Sequence, residues 1–203
     1  MPDAPGLELI RGEIESEHPG AILDSGFEHG CASLSIDPEQ VLAVLGWLRD
    51  APSQGYRFLS SLHAADYLPA EPRFAVHYEL LNRDRVERIR VKALLADTAS
   101  SAGPVTAGDP PPPAVAKASS GVVPPTVPPA EGALPEIDSC CGLFPTAEFQ
   151  EREAFDFFGI VFRGHPDLRR ILLPDDYVGW PQRRDFPVGG EPVTFTYNER
   201  NYG

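Results

Sequence analysis

The sequence contains no run of about 18 apolar residues, the length a membrane-spanning helix needs, so contact with a membrane is expected only through a partner. Residues 1–20 lack the basic region and following apolar run of a secretory signal. No glycine-rich loop of the P-loop or Rossmann kind follows a predicted strand, which leaves no evident nucleotide pocket. Cysteine is scarce. Cys31, Cys140 and Cys141 are an odd number without a disulfide framework, suited to a reducing cytosol. They also cannot supply the four thiolates of an iron–sulfur cluster or closed zinc site. Basic residues are outnumbered, 17 Lys and Arg against 30 Asp and Glu, and the formal charge of −13 argues against wrapping nucleic acid. Part of that deficit is local, because residues 1–30 carry seven acids and one arginine and are expected to form an acidic, solubilising arm.

What remains describes one α+β domain with appendages: residues 31–97 and 134–187 form the domain, between the 1–30 arm and a C-terminal tail at 188–203. The apolar content of 42% supports a core. Residues 31–36 alternate as a strand. Asp37, Pro38 and Gln40 then give a capping-box-like start to a helix whose stripe is Val41, Leu42, Leu45 and Leu48, widened by Val44 and Trp47. Residues 56–62 read as a strand, followed by a polar turn at 63–67. Residues 73–81 and 85–95 alternate with period two around Asn82-Arg83-Asp84, a hairpin expected to have one core face and one solvated face carrying His77. Between residues 98 and 133 there are nine prolines and no aromatic residue. Such a stretch buries too little apolar area to offset its ordering entropy, so a flexible insertion is expected. A proline-recognition ligand around Pro110–Pro113 is the alternative.

The second helix is expected over 146–158, capped by Thr146, with Glu148, Arg152 and Asp156 as an ion-pair ladder and Phe149, Phe155 and Phe158 facing the core. Gly159 would end it in a left-handed cap, followed by extended pieces at 160–162 and 168–173. Residues 151–187 are the densest part of the chain in arginine and aromatics. They contain six arginines and no lysine, and Pro166, Pro174, Pro181 and Pro187 punctuate them. Arginine without lysine points to planar, forked contacts with carboxylates or backbone, and so to a rigid docking surface. Glu151 and Glu153 lie two apart and so face different sides of a helix, which fits ion pairing better than paired acid–base chemistry. His165 has no nucleophile at a recognisable spacing, leaving little support for a free-standing enzyme using Glu151, Glu153, His165 and Asp167.

The order EREAFDFFGI (151–160), GHPDLRRIL (164–172), PDDY (174–177) and GWPQRRDFP (179–187) resembles the thirty-kilodalton subunit family of NADH–quinone oxidoreductase, respiratory complex I. The likeness extends more weakly back through the hairpin and first helix. It implies a mixed β-sheet packed on helices, in a non-catalytic structural subunit of the complex's hydrophilic arm. Such a subunit lies on the cytoplasmic side of the membrane beside the D, B and I homologues, near the quinone site. It implies that this chain binds no cofactor, while the assembly uses FMN, iron–sulfur clusters, NADH and a quinone. An equivalent scaffold in a ferredoxin-linked or hydrogenase-type complex is the alternative. By the same resemblance, Glu151, Arg152, Glu153, Asp156, Gly159, Gly164, His165, Pro166, Asp167, Arg169, Arg170, Pro174, Asp176, Arg183, Arg184 and Asp185 are interface or structural residues. The chain departs from the family pattern in the long 98–133 stretch, in Cys140-Cys141, and in Phe149 and Gln182.

Overall fold

The computed structural model describes residues 2–97, 134–177 and 179–186. Among these described residues, seven strands and three α-helices follow in the order α1 (Ala4–Glu17), β1 (Ile22–Glu28), β2 (Cys31–Ile36), α2 (Val41–Asp50), β3 (Phe58–Asp66), β4 (Phe74–Asn82), β5 (Glu87–Leu95), β6 (Glu136–Asp138), α3 (Ala147–Phe158) and β7 (Val161–Arg163). The main sheet has the order β1-β2-β5-β4-β3, parallel between β2 and β5 and antiparallel elsewhere. It is thus the mixed sheet expected of an α+β domain. β6 and β7 pair in parallel as a separate ribbon.

The acidic arm is not an appendage. Asp3 caps α1 by accepting from Gly6 N–H at 2.8 Å, and Leu7, Ile10 and Ile14 recur on one face and join the core. Each such burial removes apolar surface worth about 1.5–3 kcal/mol, and the acids remain on the other faces. Charge density masked an amphipathic helix, and β1 then adds an edge strand to the sheet.

Asp37 caps a single 3₁₀ turn, Pro38–Gln40, through Glu39 N–H at 3.1 Å, and α2 continues from it. Val41, Val44, Leu45 and Leu48 are buried as the period requires, whereas Leu42 is exposed. The turn expected at 63–67 is largely strand, since β3 runs on to Asp66 and pairs with Phe74 at its end. The hairpin forms between β4 and β5, with Asn82 Oδ1 accepting from Asp84 and Arg85 N–H. Its second face is not solvated on β4, where Ala75, His77 and Glu79 are all buried as the second strand in from the β3 edge. Residues 98–133 and 188–203 lie outside the described residues.

α3 stands beside β3, and the Gln150 side chain accepts the Leu62 N–H of that edge strand. Thr146 sits at its N-cap position but donates to Leu59 O at 3.0 Å instead of capping the helix. Phe155 and Phe158 are buried, while Phe149 is 59% exposed and so is a surface residue, not a core one. The 168–173 piece is irregular, because its backbone groups are taken by side chains of α3.

Candidate functional site

Residues 151–186 build their geometry around α3. Arg152 and Asp156 are four apart and share one helix face. Arg152 donates to the carbonyls of Arg169 (Nε, 3.2 Å) and Arg170 (Nη2, 3.0 Å). Asp156 Oδ2 accepts the N–H groups of Ile171, Leu172 and Leu173 at 3.1, 2.8 and 2.9 Å. A cation takes carbonyls and an anion takes the next amides, so five consecutive residues of an irregular segment are held as if by a neighbouring strand. The predicted Glu148–Arg152–Asp156 ladder does not form, because Arg152 and Asp156 both serve this clasp.

Arg170 completes it. Its Nη1 donates to Asp156 Oδ1 at 2.8 Å and to Asp156 O at 3.0 Å, and Nη2 donates to Gly179 O at 3.1 Å. The guanidinium stands 4.7 Å from the Trp180 ring centre and 5.7 Å from that of Tyr177. Burial pushes the Asp156 carboxyl up. The hydrogen bonds from Leu173, Arg170, Leu172 and Ile171 outweigh that and hold it below the usual carboxylate range.

Glu151 turns the other way and is fully buried. Among the described residues its carboxylate meets no arginine, contrary to the ion pairing expected of it. It accepts from Ser139 Oγ (2.7 Å) and Cys140 N–H (2.8 Å), with Cys141 Sγ at 3.4 Å. His165 lies close by, so that ligand atoms of Cys141, Glu151 and His165 come within 4.8 Å of one another. Both ring nitrogens are nonetheless engaged: Nδ1 accepts Asp167 N–H at 3.0 Å, so Nε2 carries the proton and donates to Glu148 O at 3.0 Å. Burial pushes the Cys141 thiol up to about 11, which keeps it protonated and donating at neutral pH. The trio therefore reads as a hydrogen-bonded joint between 139–141, α3 and the Gly164 turn.

Gly159 takes φ +70° at the end of α3, and a Cβ there would lie 2.5 Å from Trp180. The close approach and the left-handed backbone both require glycine. Beyond it the chain returns to the sheet. Arg183 Nε donates to Phe158 O at 2.8 Å, and its guanidinium lies 4.9 Å from the Phe74 ring, where burial lowers its pKa. Arg184 N–H donates to Asp66 Oδ2 at 2.8 Å. Asp185 joins Asp66 and Asp97 around Arg73, at 2.6, 2.7 and 2.7 Å.

Glu151, Arg152, Asp156, Gly159, Arg170, Arg183, Arg184 and Asp185 are thus drawn into internal contacts. Gly164, with φ +80°, shapes the turn, and Pro174 O accepts Tyr177 N–H. Glu153, Pro166, Asp167, Arg169 and Asp176 are exposed, Asp167 and Arg169 pairing at 2.8 Å. Glu153 also lines an open cleft of about 370 Å³ with His63, Gln150, Phe157 and Gln182. Sequence reasoning missed Arg73, Asp66, Asp97 and Ser139, whose partners are remote in the chain and follow no spacing rule. It also placed His77 on the surface. His77 is 6% exposed, stacked on His63 at 4.9 Å, with Nε2 3.0 Å from the Tyr67 hydroxyl.

A family model described as the respiratory-chain NADH dehydrogenase 30 Kd subunit matches residues 34–107 and 122–192. The NADH-quinone oxidoreductase C subunit of Herpetosiphon aurantiacus is 38% identical over 174 residues, covering 86% of this chain and 81% of that one. Its counterpart in Roseiflexus sp. is 36% identical over 199 residues, covering 98% and 92%. Among solved structures, a trypsin-resistant fragment of Nqo5 superposes with a TM-score of 0.53 at 23% identity, covering 80% of this chain and 98% of the fragment. A chain of the archaeal membrane-bound sulfane sulfur reductase gives 0.59 at 18% identity, covering 89% and 85%. These two share the fold. With the EREAFDFFGI and GHPDLRRIL segments joined in one clasp and the matches spanning most of its length, the chain belongs to the family of the 30-kilodalton subunit of respiratory-chain NADH dehydrogenase.

Proposed function

We propose that this chain is a non-catalytic structural subunit in the hydrophilic arm of a membrane-bound NADH–quinone oxidoreductase. It would dock beside the D, B and I homologues near the quinone site, on the cytoplasmic face. Electron transfer from NADH through FMN and iron–sulfur clusters to quinone belongs to the assembly, and this chain contributes no cofactor ligand. The observation that carries the reading is the use made of the motif's charged side chains. Glu151, Arg152, Asp156 and Arg170 are buried and satisfied by hydrogen bonds within the chain. Groups so engaged fix the shape of a surface and are not available to a substrate. None of the described helices is long and apolar enough to cross a membrane, so attachment would run through partner subunits.

Affinity purification of the chain from solubilised membranes, with the co-purifying subunits identified, tests this. Recovery of the B and D homologues in equal amounts is expected. A chain that stays monomeric in their presence refutes it. The purified chain alone should lack flavin and iron–sulfur absorbance and show no NADH–quinone activity. Recovery of the scaffold subunits without an NADH-binding module would point instead to a ferredoxin-linked or hydrogenase-type complex.

A further inference from the structure

One face of the main sheet packs on α1 and α2, where Leu34, Val76, Tyr78 and Val91 join their apolar stripes. The opposite face is polar, and its registers can be read across the strands. One row runs Asp24, Ser35, Lys92, His77, His63, and the next sets Arg90 beside Glu79. Arg88, Arg90 and Lys92 alternate along β5, so their side chains all leave on this face. Glu79 is the carboxylate they meet, bonded to Arg90 and 3.9 Å from Arg88. Among the described residues Lys92 has no ion-pair partner, and its ammonium lies 4.8 Å from the Tyr67 ring centre. His77 beside it is buried, and its Nδ1 has no hydrogen-bond partner. Nε2 shares a hydrogen bond with the Tyr67 hydroxyl, so Nδ1 is the unsatisfied atom of the ring in either tautomer. A chain of net charge −13 has here gathered three cations around the single carboxylate of Glu79, beside a buried imidazole nitrogen without a partner.

We propose that this face is a docking surface for an acidic, extended segment of a neighbouring subunit, with Lys92 receiving a carboxylate and Arg88 and Arg90 flanking it. The inference rests on the subunit reading above and names the partner's chemistry. The spacing favours an extended chain. Alternate residues of β5 stand about 7 Å apart, which is also the repeat of alternate side chains on a facing strand. Width favours a strand over an anionic lipid surface. Asp24 and Glu28 of β1 lie on the same face about 10 Å away, two strand spacings from β5, and a flat anionic layer would meet them together with the cations.

The test uses the assembled complex and an unusual feature of the composition. Lys92 and Lys117 are the only two lysines in the chain, so a zero-length carbodiimide, which joins a lysine amine to a carboxylate it touches, reports on few positions. The expected product is an amide between Lys92 and an Asp or Glu of another subunit. Lys117→Arg should keep it. Lys92→Arg should lose it while leaving the yield of complex unchanged, because the charge remains. Lys92→Glu should lower the recovery of the chain in the complex by about tenfold, as expected for like charges brought together. Unchanged recovery with Lys92→Glu, or a complex that forms without any Lys92 cross-link to another subunit, overturns the docking face while the subunit reading stands. Absence of co-purifying subunits with the unmodified chain overturns the subunit reading, and this inference with it. Sedimentation of the free chain with phosphatidylserine vesicles, abolished by Lys92→Glu, overturns the protein partner in favour of a lipid surface.

Discussion

Replacing Asp156 should damage this fold more than any other single change on α3. Its carboxylate is fully buried, neutralises Arg170 at 2.8 Å, and accepts three successive N–H groups between 2.8 and 3.1 Å. Asp156→Ala leaves a guanidinium in a site that exposes 4% of its side chain, together with three amides lacking acceptors. Breaking a buried pair from one side costs about 3–5 kcal/mol, and each stranded donor adds on the order of 1 kcal/mol where water cannot reach it. A loss of about 4 kcal/mol or more is therefore expected, a large share of the roughly 5–15 kcal/mol that holds a domain together. Urea unfolding followed by tryptophan fluorescence measures it, since Trp180 packs on Arg170 and on Phe155 at 5.3 Å. Asp156→Ala with Arg170→Met removes the stranded charge but not the stranded amides. The double variant should therefore recover part of the loss and remain below wild type. The carboxyl is held low in the folded state, so the unfolded chain takes up its proton first. The stabilisation is thus present above about pH 4, the ordinary carboxylate range, and disappears as pH falls through the lower folded value. A loss under about 1 kcal/mol in Asp156→Ala, or a double variant as stable as wild type, would refute the clasp.

Arg73→Met should cost about 3–5 kcal/mol at neutral pH by removing the cation to which Asp66 and Asp97, both almost wholly buried, are bonded. That deficit should narrow as pH falls below about 4, through the lowered value of the Asp66 carboxyl in the folded chain, which a pH series of thermal melts would show. Gly159→Ala should destabilise by more than the usual 1 kcal/mol or so for a left-handed cap, because Trp180 must move as well; chemical denaturation reads this directly. Alkylation of Cys141 by iodoacetamide, followed by mass spectrometry, should be slow at pH 8 and accelerate towards pH 11, with Cys140 slower still because deeper burial pushes its thiol further up. Arg169→Ala should leave stability within about 0.5 kcal/mol, as expected of an exposed pair, so reduced recovery with partner subunits would identify a docking contact.

How far the sequence led depended on how local each cause was. The stripe of α2 apart from Leu42, the pairing of β4 with β5 and the glycine stop at 159 follow from periodicity and backbone preference, and all three stand in the structure. The acidic N-terminus misled because its charge drew attention from the i, i+3, i+7 spacing of Leu7, Ile10 and Ile14. The arginines of 151–187 were correctly expected to make forked contacts with carboxylates and backbone. Their direction was not readable: Arg152, Arg170 and Arg183 point into the chain, and an exposed Arg169 is adjacent in sequence to a buried Arg170. Nothing in local spacing distinguishes those two. The Arg73 cluster joins residues 66, 73, 97 and 185, and only the closed fold brings them together.

The described residues on either side of 98–133 are each fastened to the domain. On one side Asp97 is gripped by Arg73, immediately after β5 leaves the sheet. On the other, Pro135 O accepts Val161 N–H at 2.9 Å, and β6 is registered against β7. Both anchors are contacts between described residues, and a connection that joins two such fixed points costs about 0.6 kcal/mol in loop closure per doubling of its length. Against that small term stand the several kcal/mol held by the clasp around Asp156 and the cluster around Arg73, so the spacing between the anchors is a weak lever on the domain and the anchors are strong ones.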